Sequence, residues 1–348
     1  MPQSITLLIL LVLNSCIAQE KNPNIILMIG DGMGLTQISS GMYANDNSTA
    51  LEDFEYIGLS KTHSYDQLIT DSAASGTAMA SGVKTYNGVV GINSKNLYVK
   101  SILEHSQEKG YKTALLATSS IVHATPASFY ANVPSRRQYQ DIALQLREHD
   151  VDLFIGGGSK HFNKRDDKRN LIEEMTNYHF VKSLNELSSS DSQKIGYLTY
   201  KDEPPTKNEG RSPALEDMAS ISIQKMESFG EPFFMMIEGS QIDWGGHANE
   251  MDYVLSEFKE FNITIQRVLD YAKSDGNTLV IVTADHETGG LTLSGGNIKR
   301  SIASGTFSTK GHSAEMVPVF SYGPKAELFK GVYENTEIFD KMLDVLTK

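Results

Sequence analysis

Hydrophobic runs along this 348-residue chain stop repeatedly on residues able to bind cations. Asn24-Ile25-Ile26-Leu27-Met28-Ile29-Gly30 ends on Asp31, and Phe233-Phe234-Met235-Met236-Ile237 ends on Glu238. Thr278-Leu279-Val280-Ile281-Val282-Thr283-Ala284 ends on Asp285-His286. Each run has the length and the β-branched or aromatic content of a buried strand. Further strand-like segments fall at 113–118, 151–155 and 316–321.

Helical periodicity fills the intervals. Over 213–227, Leu215, Ala219, Ile223 and Met226 share one side, behind a Ser212 cap with Pro213 at the first helical position. A longer helix is expected across 250–272, capped by Asn249 and burying a stripe from Val254 to Leu269. Residues 97–109 and 136–148 also read as helices, while 196–211 and the Gly-, Ser- and Thr-rich 292–311 read as loops. The alternation predicts an α/β fold, a three-layer α/β/α sandwich around a large, mostly parallel central sheet. Open sheets of this kind bind ligands beyond the C-terminal ends of their strands, where Asp31, Glu238, Asp285 and His286 fall.

The first residues add a location. The apolar run 5–13 is too short to span a bilayer and fits a signal peptide over 1–18, with Cys16-Ile17-Ala18 as its small-residue cleavage site. The alternative is a lipoprotein signal over 1–15, because Leu13-Asn14-Ser15-Cys16 resembles a lipoprotein box and would leave a lipid anchor on Cys16. Either form implies export to the periplasm or beyond, with or without membrane attachment. Residues 19–348 are expected to form one catalytic domain with short surface insertions. Cys16 is the only cysteine, so the folded part must rely on packing and metal rather than disulfides. A net charge of −12 with no basic segment argues against a nucleic-acid partner.

The candidate ligands cluster further. Asp31 sits among Gly30, Gly32 and Gly34, which would let backbone pass close to an ion, although Gly-Asp-Gly alone is common in turns. Asp243 and His247 are four apart and would face each other on a helical turn, shortly after Glu238. Asp285 and His286 can reach one ion if the backbone kinks, and Gly289-Gly290 permits a bend. His312 precedes the last strong strand and supplies a nitrogen that the other groups leave wanting. The histidines at 63, 105, 149, 161 and 179 read as ordinary surface residues.

Thr70-Asp71-Ser72-Ala73-Ala74-Ser75-Gly76 opens a run of small residues through Gly82. As structure alone it is a tightly packed helix start capped by Asp71 or Ser72. As chemistry it places the Ser72 hydroxyl where a helix N-terminus favours an anion. No Gly-x-Ser-x-Gly elbow surrounds Ser72, so a metal ion rather than a triad is the expected activator.

Taken in order, these segments resemble the alkaline phosphatases of the binuclear-zinc superfamily. The resemblance runs from about Asn24 to Gly323 through Ile29-Gly30-Asp31-Gly32-Met33-Gly34, Asp71-Ser72-Ala73-Ala74-Ser75, Ala124-Thr125-Pro126-Ala127 with Arg136, Glu238 to Asp243 with His247, Thr283 to Gly290, and His312. It implies an alkaline-phosphatase-like sandwich that hydrolyses phosphate monoesters through a phosphoserine on Ser72. Two Zn²⁺ and one Mg²⁺ are implied: Asp243, His247 and His312 at the first zinc, and Asp31, Asp285, His286 and Ser72 at the second. Asp31, Thr125 and Glu238 would hold the magnesium. Arg136 would clamp the phosphoryl oxygens, oriented by Asp71, and the family expectation is a homodimer. Three divalent ions and Arg136 outweigh the five carboxylates Asp31, Asp71, Glu238, Asp243 and Asp285, so the site attracts phosphate despite the acidic surface.

Two positions depart from the enterobacterial pattern: His123 stands in place of an aspartate and Trp244 in place of a lysine. The pair resembles marine or cold-adapted members, and it bears on the third ion and on product release. The short stretch between His286 and His312 leaves little room for the crown-like insertion of some relatives. The competing readings are a phosphodiesterase of the same superfamily and a metal- or phosphate-binding protein without turnover.

Overall fold

The computed structural model describes residues 22–347. The signal peptide, its lipoprotein alternative and Cys16 lie outside them. The strands are β1 Asn24–Gly30, β2 Tyr56–Lys61, β3 Lys112–Ser120, β4 Leu153–Gly157, β5 His179–Phe180, β6 Ile195–Leu198, β7 Phe233–Gly239, β8 Thr278–Thr283, β9 Glu287–Thr288, β10 Leu291–Asn297, β11 Ile302–Phe307, β12 His312–Ser313, β13 Val317–Tyr322 and β14 Gly331–Glu334. Ten of them form one sheet in the order β14-β2-β13-β8-β1-β7-β3-β4-β6-β5. Only β13 runs against its neighbours in this sheet; the other pairings are parallel.

Parallel strands buried on both faces need apolar side chains at odd and even positions alike. β1 shows the consequence. Ile25, Leu27 and Ile29 join one core with Met236, Ile281, Met79 and Met342, while Ile26 and Met28 join the other with Met235, Val282, Phe258 and Phe261. Helices Ser72–Ser81, Tyr139–Glu148 and Thr336–Thr347 cover the first face; Leu215–Phe229 and Met251–Asp275 cover the second. Each fully buried side chain of this size contributes about 1.5–3 kcal/mol. The result is the α/β/α sandwich expected from the sequence.

Element ends moved for identifiable reasons. The helix expected from Pro213 starts at Leu215 with no side-chain cap, and the Ser212 amide donates instead to the Tyr200 hydroxyl. Asn249 does not cap Met251–Asp275. It takes a left-handed φ of 59° and closes the preceding helix Ile242–Ala248, a conformation that asparagine tolerates. The loop expected at 292–311 is largely the hairpin β10–β11, in which most of β10 is exposed and the half-buried side of β11 carries Ala303 and Gly305, so the apolar alternation is faint. The stretch 196–211 contributes β6 and a short 3₁₀ turn over Lys207–Glu209. Among the described residues no helix is long and apolar enough to cross a membrane.

Candidate active site

Strands β8, β1, β7 and β3 are adjacent and parallel, so their C-terminal ends open side by side. β1 delivers Asp31, β7 carries Glu238, β8 leads to Asp285-His286, and β3 leads through Ile121-Val122 to His123 and the one-turn helix Ala124–Ala127 bearing Thr125. Asp31, Thr125, Glu238, Asp285 and His286 are all fully buried. Asp243 and His247 lie on helix Ile242–Ala248, with His247 Nε2 3.3 Å from Asp243 Oδ1. His312, on β12, stacks on His286 with ring centroids 3.5 Å apart, and its Nε2 lies 3.2 Å from that of His247.

Among the described residues, three groups converge closely enough to hold a cation: Asp243/His286/His312, Asp31/Asp285/His286 and Asp31/His123/Glu238. Their polar atoms fit such ions. Both Asp31 oxygens, Glu238 Oε1 and Asp285 Oδ2 are buried and accept no hydrogen bond, an expensive state for a carboxylate unless a cation occupies the shared space. Burial first, then the neighbouring Asp285, Asp243 and Glu238 charges, pushes the Asp31 carboxyl well above its usual range. Burial lifts Glu238 to about 7. Divalent cations relieve this crowding of negative charge.

The histidines are set to present Nε2. His247 Nδ1 faces the Lys310 carbonyl at 2.6 Å and His312 Nδ1 faces the Thr70 carbonyl at 2.8 Å. A carbonyl can only accept, so each Nδ1 carries a proton, and Nε2 is the nitrogen whose lone pair each neutral ring would offer to a cation. Thr288 Oγ1 donates to Asp243 Oδ1 and lies 3.2 Å from His286 Nδ1, giving His286 the same tautomer.

Ser72 opens helix Ser72–Ser81, whose residues are all buried. Close packing explains its small side chains: a Cβ on Gly76 would lie 2.8 Å from Ser128 Oγ. Ser75 Oγ donates to the Asp285 carbonyl at 2.7 Å, which ties the helix to the end of β8. Ser72 Oγ lies 3.3 Å from His286 Nε2. Asp71 caps the helix by accepting from the Ala74 amide at 3.0 Å, while its other oxygen accepts from the Gly88 amide and, at 3.1 Å, from Arg136 Nη1. Arg136 Nη2 faces His123, and the His123 and Trp244 rings meet edge-on with centroids 6.0 Å apart.

The structure thus brings every candidate site residue from the sequence into one sheet-edge cluster. It groups His286 with Asp243 and His312 as well as with Asp31 and Asp285, leaves the expected His247 outside all three groups, and joins His123 to Asp31 and Glu238. Sequence reasoning missed Thr288, Ser119 and Ser240; the last two donate to Glu238 Oε2. Thr288 and Ser240 each follow a candidate ligand by two positions, and that was their only signal.

The alkaline phosphatase family model matches residues 22–303 and 299–347. Alkaline phosphatase 3 of Bacillus subtilis is 32% identical, across 94% of this chain and 90% of its own length. Alkaline phosphatase 4 of the same organism is 36% identical, across 90% and 72%. The alkaline phosphatase from the Antarctic bacterium TAB5 superposes with a TM-score of 0.88 at 43% identity, covering 94% of this chain and 98% of that one. A cold-active alkaline phosphatase from the psychrophile Shewanella sp. gives 0.86 at 27%, covering 93% and 100%. With the family matched across nearly all described residues and the fold shared with its solved structures, this chain belongs to the alkaline phosphatase family and is a phosphatase.

Proposed function

We propose that the enzyme hydrolyses a broad range of phosphate monoesters to an alcohol and inorganic phosphate, by way of a phosphoserine on Ser72. The observation that carries this reading is the Ser72 hydroxyl on the first turn of a capped helix, 3.3 Å from His286 Nε2 within the buried ligand cluster. In the first step Ser72 Oγ gives up its proton and bonds to phosphorus as the ester oxygen leaves with its electron pair and takes up a proton to become the alcohol. In the second, water gives up a proton and bonds to phosphorus, the Ser72 Oγ–P bond breaks with its electron pair left on Oγ, which is reprotonated, and phosphate departs. Two inversions give net retention.

Asp243, His247 and His312 would hold one zinc, and Asp31, Asp285 and His286 a second, beside Ser72. Asp31, Glu238 and Thr125 would hold a third ion, magnesium. Such ions supply a lowered hydroxyl pKa and charge stabilisation for the leaving oxygen. The chain's own groups do the rest. Asp71 holds Arg136 so that its two N–H groups can grip equatorial phosphoryl oxygens, and the free amides of the Ser72 helix face the incoming anion. Two variants of the TAB5 enzyme, with a histidine replaced by aspartate or glutamate, hold magnesium at a site termed M3. His123 is the histidine of the third group here.

Hydrolysis of p-nitrophenyl phosphate by wild type and Ser72→Ala, before and after chelation and with Zn²⁺ and Mg²⁺ restored separately, tests the proposal. Full activity in the alanine variant overturns the covalent route, and a strong preference for the bis-ester overturns the substrate class. A homodimer and an exported location, periplasmic or extracellular with or without lipid on Cys16, complete the proposal. Sedimentation velocity and fractionation of Cys16→Ala test those two parts.

A further inference from the structure

Glu287 follows the ligand His286, is 1% exposed, and lies in none of the three ligand groups. All four lone-pair directions of its carboxylate are filled. Oε1 accepts from Gln37 Nε2 at 2.7 Å and from the Leu291 amide at 3.1 Å. Oε2 accepts from the Gly290 amide at 3.2 Å and from Ser313 Oγ. No Lys or Arg ion pair reaches it among the described residues.

The donors come from three separate parts of the chain. Gln37 lies on helix Leu35–Ala44, directly after the glycine turn that carries Asp31, and it also donates to the Thr288 carbonyl at 2.8 Å. Gly290 and Leu291 form the bend after Asp285-His286, where Gly289 and Gly290 take φ of 95° and 55°. Ser313 adjoins His312, and β12 pairs with β9 so that Ser313 faces Glu287 and His312 faces Thr288. Glu287 also presses on the Asp31 turn, since a Cβ on Gly34 would lie 2.4 Å from its Cγ.

We propose that Glu287 is a positioning residue that fixes the spacing between the two zinc sites, by clamping the Asp31 turn, the His286 bend and the His312 strand to one carboxylate. The inference rests on the metal reading of the site. Ligands from three chain segments keep a fixed separation only if something other than the ions joins those segments, and Glu287 joins all three. Thr288, which orients Asp243 and His286, is held in the same unit through Gln37. The Ser313 contact reaches His312 within one residue. A glutamine at this position would turn an NH₂ group toward amide and hydroxyl donors, so the clamp depends on an acceptor-only side chain.

The test is zinc affinity, measured by competition with a chromophoric chelator, together with the absorption spectrum of the Co²⁺-substituted protein. Wild type, Glu287→Gln, Gln37→Ala and Ser313→Ala are compared, with circular dichroism of each metal-free protein as the fold control. The expected result is zinc binding weakened about 10- to 100-fold in Glu287→Gln, with a shifted Co²⁺ spectrum. Smaller changes in the same direction are expected in the other two variants, each of which removes one arm. Unchanged affinity and spectra overturn the inference, even if metal-free stability falls. Should Glu287→Gln not fold, unchanged affinity in both single-arm variants overturns it equally. A wild type that takes up neither ion overturns the metal reading itself, which separates the two failures.

Discussion

Arg136 Nη2 lies 3.3 Å from His123 Nε2, so the arginine that pairs with Asp71 also donates to the histidine of the third ligand group. A guanidinium only donates, which makes Nε2 the acceptor and places the His123 proton on Nδ1, a buried atom with no partner. Burial, followed by the Arg136 charge, lowers the His123 pKa to about 3, so the ring stays neutral. A neutral ring has one lone pair. His123 can offer it to Arg136 or to an ion through Nε2, and Nδ1 is free for an ion only if the proton moves.

Replacing His123 with aspartate removes this conflict, because a carboxylate can accept from Arg136 and face the third ion together. His123→Asp is expected to bind Mg²⁺ more tightly. Titrating Mg²⁺ into the zinc-loaded enzyme checks this by the concentration at which activity reaches half its maximum. No shift to lower concentration counts against it.

Trp244 fills the space beside His123 with an uncharged ring. Trp244→Lys adds a cation near the phosphate site, and inorganic phosphate is expected to inhibit the variant several-fold more strongly. If release limits turnover, kcat falls as well. Competitive inhibition constants for both proteins decide the matter, and an unchanged constant sinks the idea.

Asp71 separates two roles. Asp71→Asn keeps a capping oxygen, so Asp71→Ala should lose roughly 0.5–2 kcal/mol more stability than the asparagine variant. Both lose the charged partner of Arg136, worth about 1.5–3 kcal/mol. The expected fall in kcat/KM is roughly 10- to 100-fold for each. Paired denaturation and kinetic measurements resolve the two effects, and full activity in the asparagine variant would refute the orienting role.

Arg211 is 5% exposed and bonds to both Glu257 and Glu260, carboxylates that are themselves buried. Arg211→Met leaves two buried carboxylates with the Lys207 ammonium for Glu260 and only the Lys207 backbone amide for Glu257. A loss of about 3–5 kcal/mol is expected by chemical denaturation. A loss below 1 kcal/mol would show that these acids protonate cheaply or reach water.

His161 packs on Tyr139 with ring centroids 5.0 Å apart. Burial, then the Lys160 charge, lowers its pKa from 6.5 to about 4. Between those values the unfolded chain binds the proton and the folded chain does not. Its contribution is therefore complete above pH 6.5 and is lost as pH falls toward 4. His161→Gln should flatten the fall in stability across that window relative to wild type, as read by melting temperature in metal-free buffer. Identical slopes would discount the residue.

The legible parts of this fold were those where one side chain reports its own environment. β1, β7 and β8 are buried on both faces, so Ile, Val, Leu, Met and Phe mark almost every position, and the candidate cation ligands stand at or beyond their ends. The hairpin β10–β11 was illegible because β10 is mostly exposed and the half-buried side of β11 is marked largely by small residues, Ala303 and Gly305. The helix Ile242–Ala248 contains two glycines, yet its Asp243–His247 spacing was readable because i and i+4 face each other in any turn. Partnerships across long separations left no trace. Nothing near Lys310 shows that its carbonyl orients His247, and nothing near Gln37 shows that it meets Glu287.

The strand order also sets a timetable for assembly. Ile25 pairs with Phe234 on one side and Leu279 on the other, so the central strand of the site waits for the last third of the chain before either edge is satisfied. No N-terminal fragment ending before β8 contains the Asp285-His286 pair. Such non-local pairing slows folding, and an unfolded chain offers no preformed site to an ion. On the proposed metal reading, loading must therefore follow global folding, and a chain exported unfolded, as proposed, would acquire its ions only in the compartment where it folds.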